Sequence, residues 1–79
     1  MTRILKFEKS DCVPCNQVSD YLDRKGISYE KVNPFDKPEL AMQYKVRTVP
    51  TVIVLKGSEE THRITGFKPE ELSALPSVS

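Results

Sequence analysis

Tryptophan is absent from this chain, and histidine occurs only once, as His62. A structural zinc site takes about four nitrogen or sulfur ligands. With two cysteines and one histidine the rest would have to come from carboxylates, so no metal is expected. An excess of either charge is also missing: 12 Lys+Arg stand against 11 Asp+Glu, the signs are mixed along the chain, and the formal net charge is +1. A nucleic-acid partner needs excess cations to neutralise phosphates, and a polybasic membrane patch needs a block of one sign. Neither partner is expected. No apolar run approaches the roughly 20 residues of a membrane-spanning helix. The longest, Val52-Ile53-Val54-Leu55, has the length of a buried strand. Near the N-terminus Lys6 and Glu8 interrupt the apolar stretch that a signal peptide requires. A cytoplasmic location is therefore expected, where thiols are kept reduced and structural disulfides are rare. Two cysteines there call for an explanation other than stapling.

The 79 residues suffice for one domain, spanning 1–79, with no internal repeat or low-complexity tract. A chain of this length buries only roughly 60–65% of its unfolded surface, so the core is thin. Arg3 to Glu8 reads as a strand, with Ile4, Leu5 and Phe7 apolar, and Ser10-Asp11-Cys12 as a turn. A helix follows from about Val13 to Lys25, where Cys15, Val18 and Leu22, joined by Tyr21, recur at helical spacing. Gly26 supplies the left-handed residue that ends it. Ile27 to Val32 reads as a second strand, closed by Asn33-Pro34. Asp36-Lys37-Pro38-Glu39 has the form of a capping box, predicting a short helix that buries Leu40, Ala41 and Tyr44. Thr51 to Leu55 is a third strand, turned by Lys56-Gly57-Ser58 into a fourth, Glu59 to Thr65. The polar Glu59, Thr61, Arg63 and Thr65 suit an edge. Pro69-Glu70-Glu71 opens a last helix anchored by Leu72 and Leu75 and stopped by Pro76, with a loose tail Ser77-Val78-Ser79. The order β-α-β-α-β-β-α predicts an α/β fold: a four-stranded mixed sheet flanked by three helices. Its first two strands are parallel through a right-handed crossover, and its last two form a hairpin.

Cys12 and Cys15 lie three apart at the start of the first helix, close enough to bridge. Thiol–disulfide exchange needs a thiolate, and a helix N-terminus offers unpaired N–H groups and partial positive charge that favour one. The dipole contributes about 0.3–1 kcal/mol at an exposed site. Lys9 pushes the same way, whereas Asp11 opposes it unless its side chain caps the helix. Cys12, first in order and expected to be the more exposed, is the candidate nucleophile. Cys15, on the buried stripe one turn on, is the candidate resolving thiol. Pro14 stiffens the first turn, where its missing N–H costs nothing. Other readings fit less well. A c-type haem requires His directly after the second Cys, and position 16 is Asn. Two buried structural cysteines fit poorly in a turn at a helix start. His62 reads as a hairpin surface residue.

On these residues the chain resembles the thioredoxin-like superfamily over nearly its whole length. Cys12-Val13-Pro14-Cys15 is similar to the superfamily's C-x-x-C. Thr48-Val49-Pro50-Thr51 is similar to the loop whose cis-proline faces the dithiol, and Arg47 before it is common in both thioredoxins and glutaredoxins. The resemblance implies a compact thioredoxin-like fold, a redox-active Cys12–Cys15 disulfide with no bound cofactor, and a cis bond before Pro50 that keeps the adjoining strand edge open for an extended substrate. Without the resemblance Pro50 would read as a strand-start proline, which has no N–H for a ladder. The nearest likeness is to small glutaredoxin-like electron donors of ribonucleotide reductase. They too carry a basic residue three before the first cysteine, here Lys9, and a segment similar to Gly66-Phe67-Lys68-Pro69. They usually carry a Trp near the Gly-Phe pair, and this chain has none. Six residues before the first cysteine, thioredoxins place a buried Asp, and here stands Lys6. Its plainer reading is a stem packed on the sheet with the amine reaching water. The alternative puts the ammonium near Cys15, favouring its thiolate.

The function expected from residues and resemblance together is a monomeric thiol–disulfide oxidoreductase that reduces protein disulfides, ribonucleotide reductase among them, and is recharged by thioredoxin reductase. One alternative is a glutathione-dependent glutaredoxin, with Lys9 and the Thr48-Val49-Pro50 backbone as glutathione contacts. Against it, glutaredoxins follow the hairpin with Gly-Gly and an acidic or Ser/Thr residue, where Thr65-Gly66-Phe67-Lys68 has one Gly and no such acid. The other alternative is a thioredoxin-fold binding subunit whose dithiol is incidental.

Overall fold

The computed structural model of the protein describes residues 2–75. Seven elements follow the expected order: β1 (Thr2–Phe7), α1 (Val13–Arg24), β2 (Glu30–Val32), α2 (Pro38–Gln43), β3 (Thr51–Lys56), β4 (Glu59–Thr65) and α3 (Pro69–Leu72). The sheet order is β2-β1-β3-β4, with β1 parallel to β2 and antiparallel to β3, and β3 antiparallel to β4. A mixed sheet results. β3 lies inside it with helices on both faces, which is why Thr51–Leu55 is buried at every position and reads as an unbroken apolar run. The polar strand β4 is an edge, as its side chains require. A register shift between Val54 and Leu55 leaves Thr61 as the extra residue, its hydroxyl donating to the Val54 carbonyl at 3.3 Å.

Alternation along β1 divides the core. Ile4 faces one side and joins Val18, Leu22, Val52, Val54, Ile64, Leu72 and Leu75 beneath α1 and α3. Leu5 and Phe7 face the other side with Val32, Ile53 and Leu55, covered by the half-buried Leu40, Ala41, Tyr44, Val46 and Val49. Each fully buried aliphatic or Phe side chain contributes about 1.5–3 kcal/mol. The expected anchors of the last helix are in place, although α3 itself is a single turn and Leu75 lies beyond it. The stop at Pro76 and the tail Ser77-Val78-Ser79 lie outside the described residues.

Three local expectations are corrected. The second strand starts at Glu30 rather than Ile27, because the chain there finishes α1. Gly26, at φ 69°, donates to the Asp23 carbonyl, and Ile27 donates to the Leu22 carbonyl at 2.9 Å. Together these bonds close a Schellman motif and turn Ile27 back onto the core. The capping box does not form. Pro38 occupies the helix start, which makes Lys37 the N-cap, with no side-chain capping bond, and shifts Asp36 one place out of register. The preceding turn is held instead by Asn33, whose Oδ1 accepts the Phe35 N–H at 2.9 Å. α2 also has no fully buried residue; Leu40, Ala41 and Tyr44 are half-covered.

Candidate active site

The turn between β1 and α1 carries the sulfurs. Asp11 adopts a left-handed φ of 55° and does not cap the helix. Cys12 is the N-cap, and its Sγ accepts the Cys15 backbone N–H at 3.2 Å, while its carbonyl accepts the Asn16 N–H at 3.1 Å. The sulfur therefore occupies the place where an N-cap oxygen usually sits, at the positive end of the helix. Pro14 falls within the first two helical positions, where no N–H is required. Cys12 and Cys15 are joined by a disulfide with Cα atoms 5.2 Å apart, within the range that such a bridge spans. Cys12 is 6% exposed and Cys15 1%. Cys12 is the more exposed of the two, as expected, though only slightly, because its sulfur is turned inward onto the Cys15 N–H. Its exposed neighbour is Val13, at 68%.

Lys9, Arg47, Thr48 and Val49 come together around one open cavity of about 340 Å³, which Pro34, Phe35 and Val46 complete. Both cations are exposed, and none of the lining residues is acidic, so the cavity favours an anionic or acidic guest. Cys12, Cys15, Pro14, Pro50 and Gly66 do not line it; Lys9 links it to the dithiol turn three residues on. The Val49–Pro50 bond is cis. Pro50 is buried, and its carbonyl accepts the Gly66 N–H at 2.9 Å, which joins those two expected site residues. The Thr51 hydroxyl donates to the Thr48 carbonyl at 2.7 Å and fixes the loop from its far side. Phe35, 79% exposed, was not expected here. Its one sequence signal is an aromatic residue just after Asn33-Pro34, outside any apolar stripe. His62 is an exposed hairpin residue, its Nδ1 3.0 Å from the Thr61 hydroxyl.

Lys6 departs from its plainer reading. Its side chain is 1% exposed, and Nζ contacts Glu8 Oε1 and Ser19 Oγ and lies 5.9 Å from the centre of the Tyr29 ring. A buried ammonium is tolerated only with such partners. Burial also raises the Tyr29 phenol above its ordinary value, a shift that the Ser19 contact opposes and Asp23 reinforces. Among the described residues no group of three or more His, Cys, Asp or Glu is placed to hold a metal ion. No helix among them is long and apolar enough to cross a membrane.

A Cys12–Cys15 disulfide capping the first helix of a β-α-β-α-β-β-α sheet is the site of a thiol–disulfide oxidoreductase. Comparison with known proteins places it further. The Glutaredoxin family model matches residues 4–58, and the chain belongs to that family within the thioredoxin-like superfamily. It is 42% identical over 74 residues to the SPbeta prophage-derived thioredoxin-like protein YosR of Bacillus subtilis (strain 168), covering 92% of each chain. It is 32% identical to thioredoxin 1 of Nostoc sp. (strain PCC 7120) over 65 residues, 75% of this chain and 61% of that one. The fold is similar to that of Fasciola hepatica thioredoxin, with a TM-score of 0.81 over 91% of this chain and 74% of the other at 22% identity.

Proposed function

We propose that the protein reduces protein disulfides, with Cys12 attacking and Cys15 resolving, and that thioredoxin reductase returns it to the dithiol. The observation that carries this reading is the Cys12 sulfur at the N-cap of α1, bonded to the Cys15 N–H. In the reduced state the same N–H faces a thiolate. That thiolate attacks one sulfur of a substrate disulfide, the Cys12–substrate bond forms, and the other substrate sulfur leaves with the electron pair. The Cys15 thiolate then attacks Cys12 Sγ, the mixed disulfide breaks, and the released sulfur takes up a proton. Two electrons pass to the substrate, and the Cys12–Cys15 bond remains. Lys9, Arg47, Thr48 and Val49 form the seat for the substrate segment, while Pro50 and Gly66, joined by their backbone bond, hold the loop behind it and Pro14 stiffens the helix turn that carries the sulfurs. Ribonucleotide reductase is a substrate that the resemblance to small glutaredoxin-like donors supports.

Glutathione is the second reading. It is favoured by the match to the Glutaredoxin family and by a cavity of peptide size bearing two cations and no acid. One experiment separates the two: turnover of a protein disulfide with thioredoxin reductase plus NADPH, measured beside glutathione plus its reductase. Faster turnover with the first pair is expected. Turnover confined to the second would assign the protein to the glutathione system, and turnover with neither would remove both. Full biological activity in a Cys12→Ser, Cys15→Ser protein would point to a binding subunit instead.

A further inference from the structure

The buried ammonium of Lys6 has no part in the steps above, yet it lies on the sheet face that α1 covers. Ile4, two residues earlier and on the same face, packs with Val18 and Leu22 of α1. Lys6 Nζ bonds to Ser19 Oγ, and Ser19 is four residues after Cys15 on one helix face, a separation of about 5–6 Å between Cβ atoms. We infer that Lys6 is a positioning residue for the second half of the reaction: its ammonium, held between Glu8 and Ser19 beneath α1, stabilises the Cys15 thiolate that resolves the mixed disulfide. Glu8, 26% exposed, is the counter-ion that moderates this charge from the water side. The proposal rests on the assignment of Cys12 as attacker and Cys15 as resolver.

Other charges around this end of α1 act weakly. Lys9 and Asp11 in the preceding turn, Asp23 beyond Ser19, Lys31 on β2, and the Lys68–Glu71 pair of α3 are all exposed and screened by water. Tyr29, the remaining titratable neighbour, is half-buried and keeps its proton at neutral pH. From β3 only Val52 and Val54 face this region, and neither is charged. Lys6 and Cys15 are each 1% exposed, so water screens that pair least.

The test is a two-phase reaction of the reduced full chain with dithiobis(nitrobenzoate). Attack by Cys12 releases one thionitrobenzoate and leaves a mixed disulfide. Attack by Cys15 then releases the second and closes the Cys12–Cys15 bond. Opposite charges about 4–6 Å apart move a pKa by 1–3, and with Glu8 offsetting part of the ammonium's charge Lys6→Met is expected to raise the pH midpoint of the second phase by roughly 0.5–1. That shift slows resolution at neutral pH roughly 3–10-fold, with the rate recovering at high pH. Glu8→Gln, which keeps an acceptor for Lys6, is expected to move the midpoint the opposite way. If the pair were only structural, both variants would disturb it alike, so shifts of one sign, or none, would overturn the proposal. If Lys6→Met does not fold, Glu8→Gln decides alone: a lower midpoint supports the proposal, and an unchanged or higher one sinks it. Absence of the first phase in the unaltered protein would instead refute the Cys12 assignment.

Discussion

The two faces of the sheet differ in how tightly they are closed. Under α1 and α3 lies a cluster of eight buried residues, and the helix that carries the sulfurs contributes Val18 and Leu22, both fully inaccessible. Under α2 the buried cluster has five residues, all from strands, and the helix itself buries nothing completely. The loop segments on that side, with Phe35, Arg47 and Thr48, open into the cavity instead. The sulfurs therefore ride on the more closely packed face, while the proposed substrate seat is built on the looser one. This division suits the proposed reduction of varied protein disulfides by one fixed dithiol geometry.

The comparison can be broken most sharply at the sulfurs. Cys12→Ser is expected to lower insulin-disulfide reduction to background. Cys15→Ser should still make the first attack and accumulate a mixed disulfide visible by mass spectrometry; a reversed pattern would exchange the two roles. Packing comes next. Leu22→Ala on the closed face should cost about 2–5 kcal/mol in urea denaturation, and Leu40→Ala on the open face only about 1 kcal/mol. Equal losses would erase the distinction between faces. Neutralising the cavity with Lys9→Ala and Arg47→Ala together should leave stability within about 0.5 kcal/mol, because both side chains are exposed. The same pair should slow reduction of an acidic peptide disulfide several-fold at low ionic strength, a difference that salt closes. A salt-independent loss would mean that charge does not guide the substrate.

The smallest effect is a pH dependence shared by both edges. Hydrogen bonds from Arg3 hold Glu30 below the usual carboxylate range, and those from Arg63 do the same for Glu60. A carboxylate lowered by folding stabilises the folded state above its unfolded pKa and loses that contribution as pH falls through its folded value. Stability should therefore decline on acidification below about pH 4. Both pairs are largely solvated, so each is worth only about 0.2–1 kcal/mol. Arg3→Met should flatten part of that decline in urea midpoints compared between pH 7 and pH 3.

Element order, strand pairing and the dithiol were legible because each rests on a local signal: alternation in β1, an unbroken apolar run in β3, polar residues on the β4 edge, and C-x-x-C at a helix start. What escaped depends on neighbours distant in sequence. Ile27 carries a strand's side chain, but its backbone N–H is claimed by the end of α1. Asp36 and Glu39 have capping-box spacing, but Pro38 between them moves the helix start by one. Lys6 looks like a surface lysine until Glu8, Ser19 and Tyr29 are brought around it, and only Glu8 is close in sequence. Phe35 and Val46 became part of a site only when the turn after β2 met the loop before β3. The inward turn of Cys12 was likewise hidden, since a cysteine capping its own helix has no composition signature.

The Arg63 guanidinium, besides pairing with Glu60, donates a hydrogen bond to the Tyr44 carbonyl at the end of α2. Residues 45–50 are thereby moored at both ends: at Tyr44 by the outer strand, and at Pro50 by Gly66 just past that strand. The contour of the proposed substrate seat is thus written partly in a hairpin that does not line it. Sequence drift along β4 can reshape that cavity while every residue lining it stays the same.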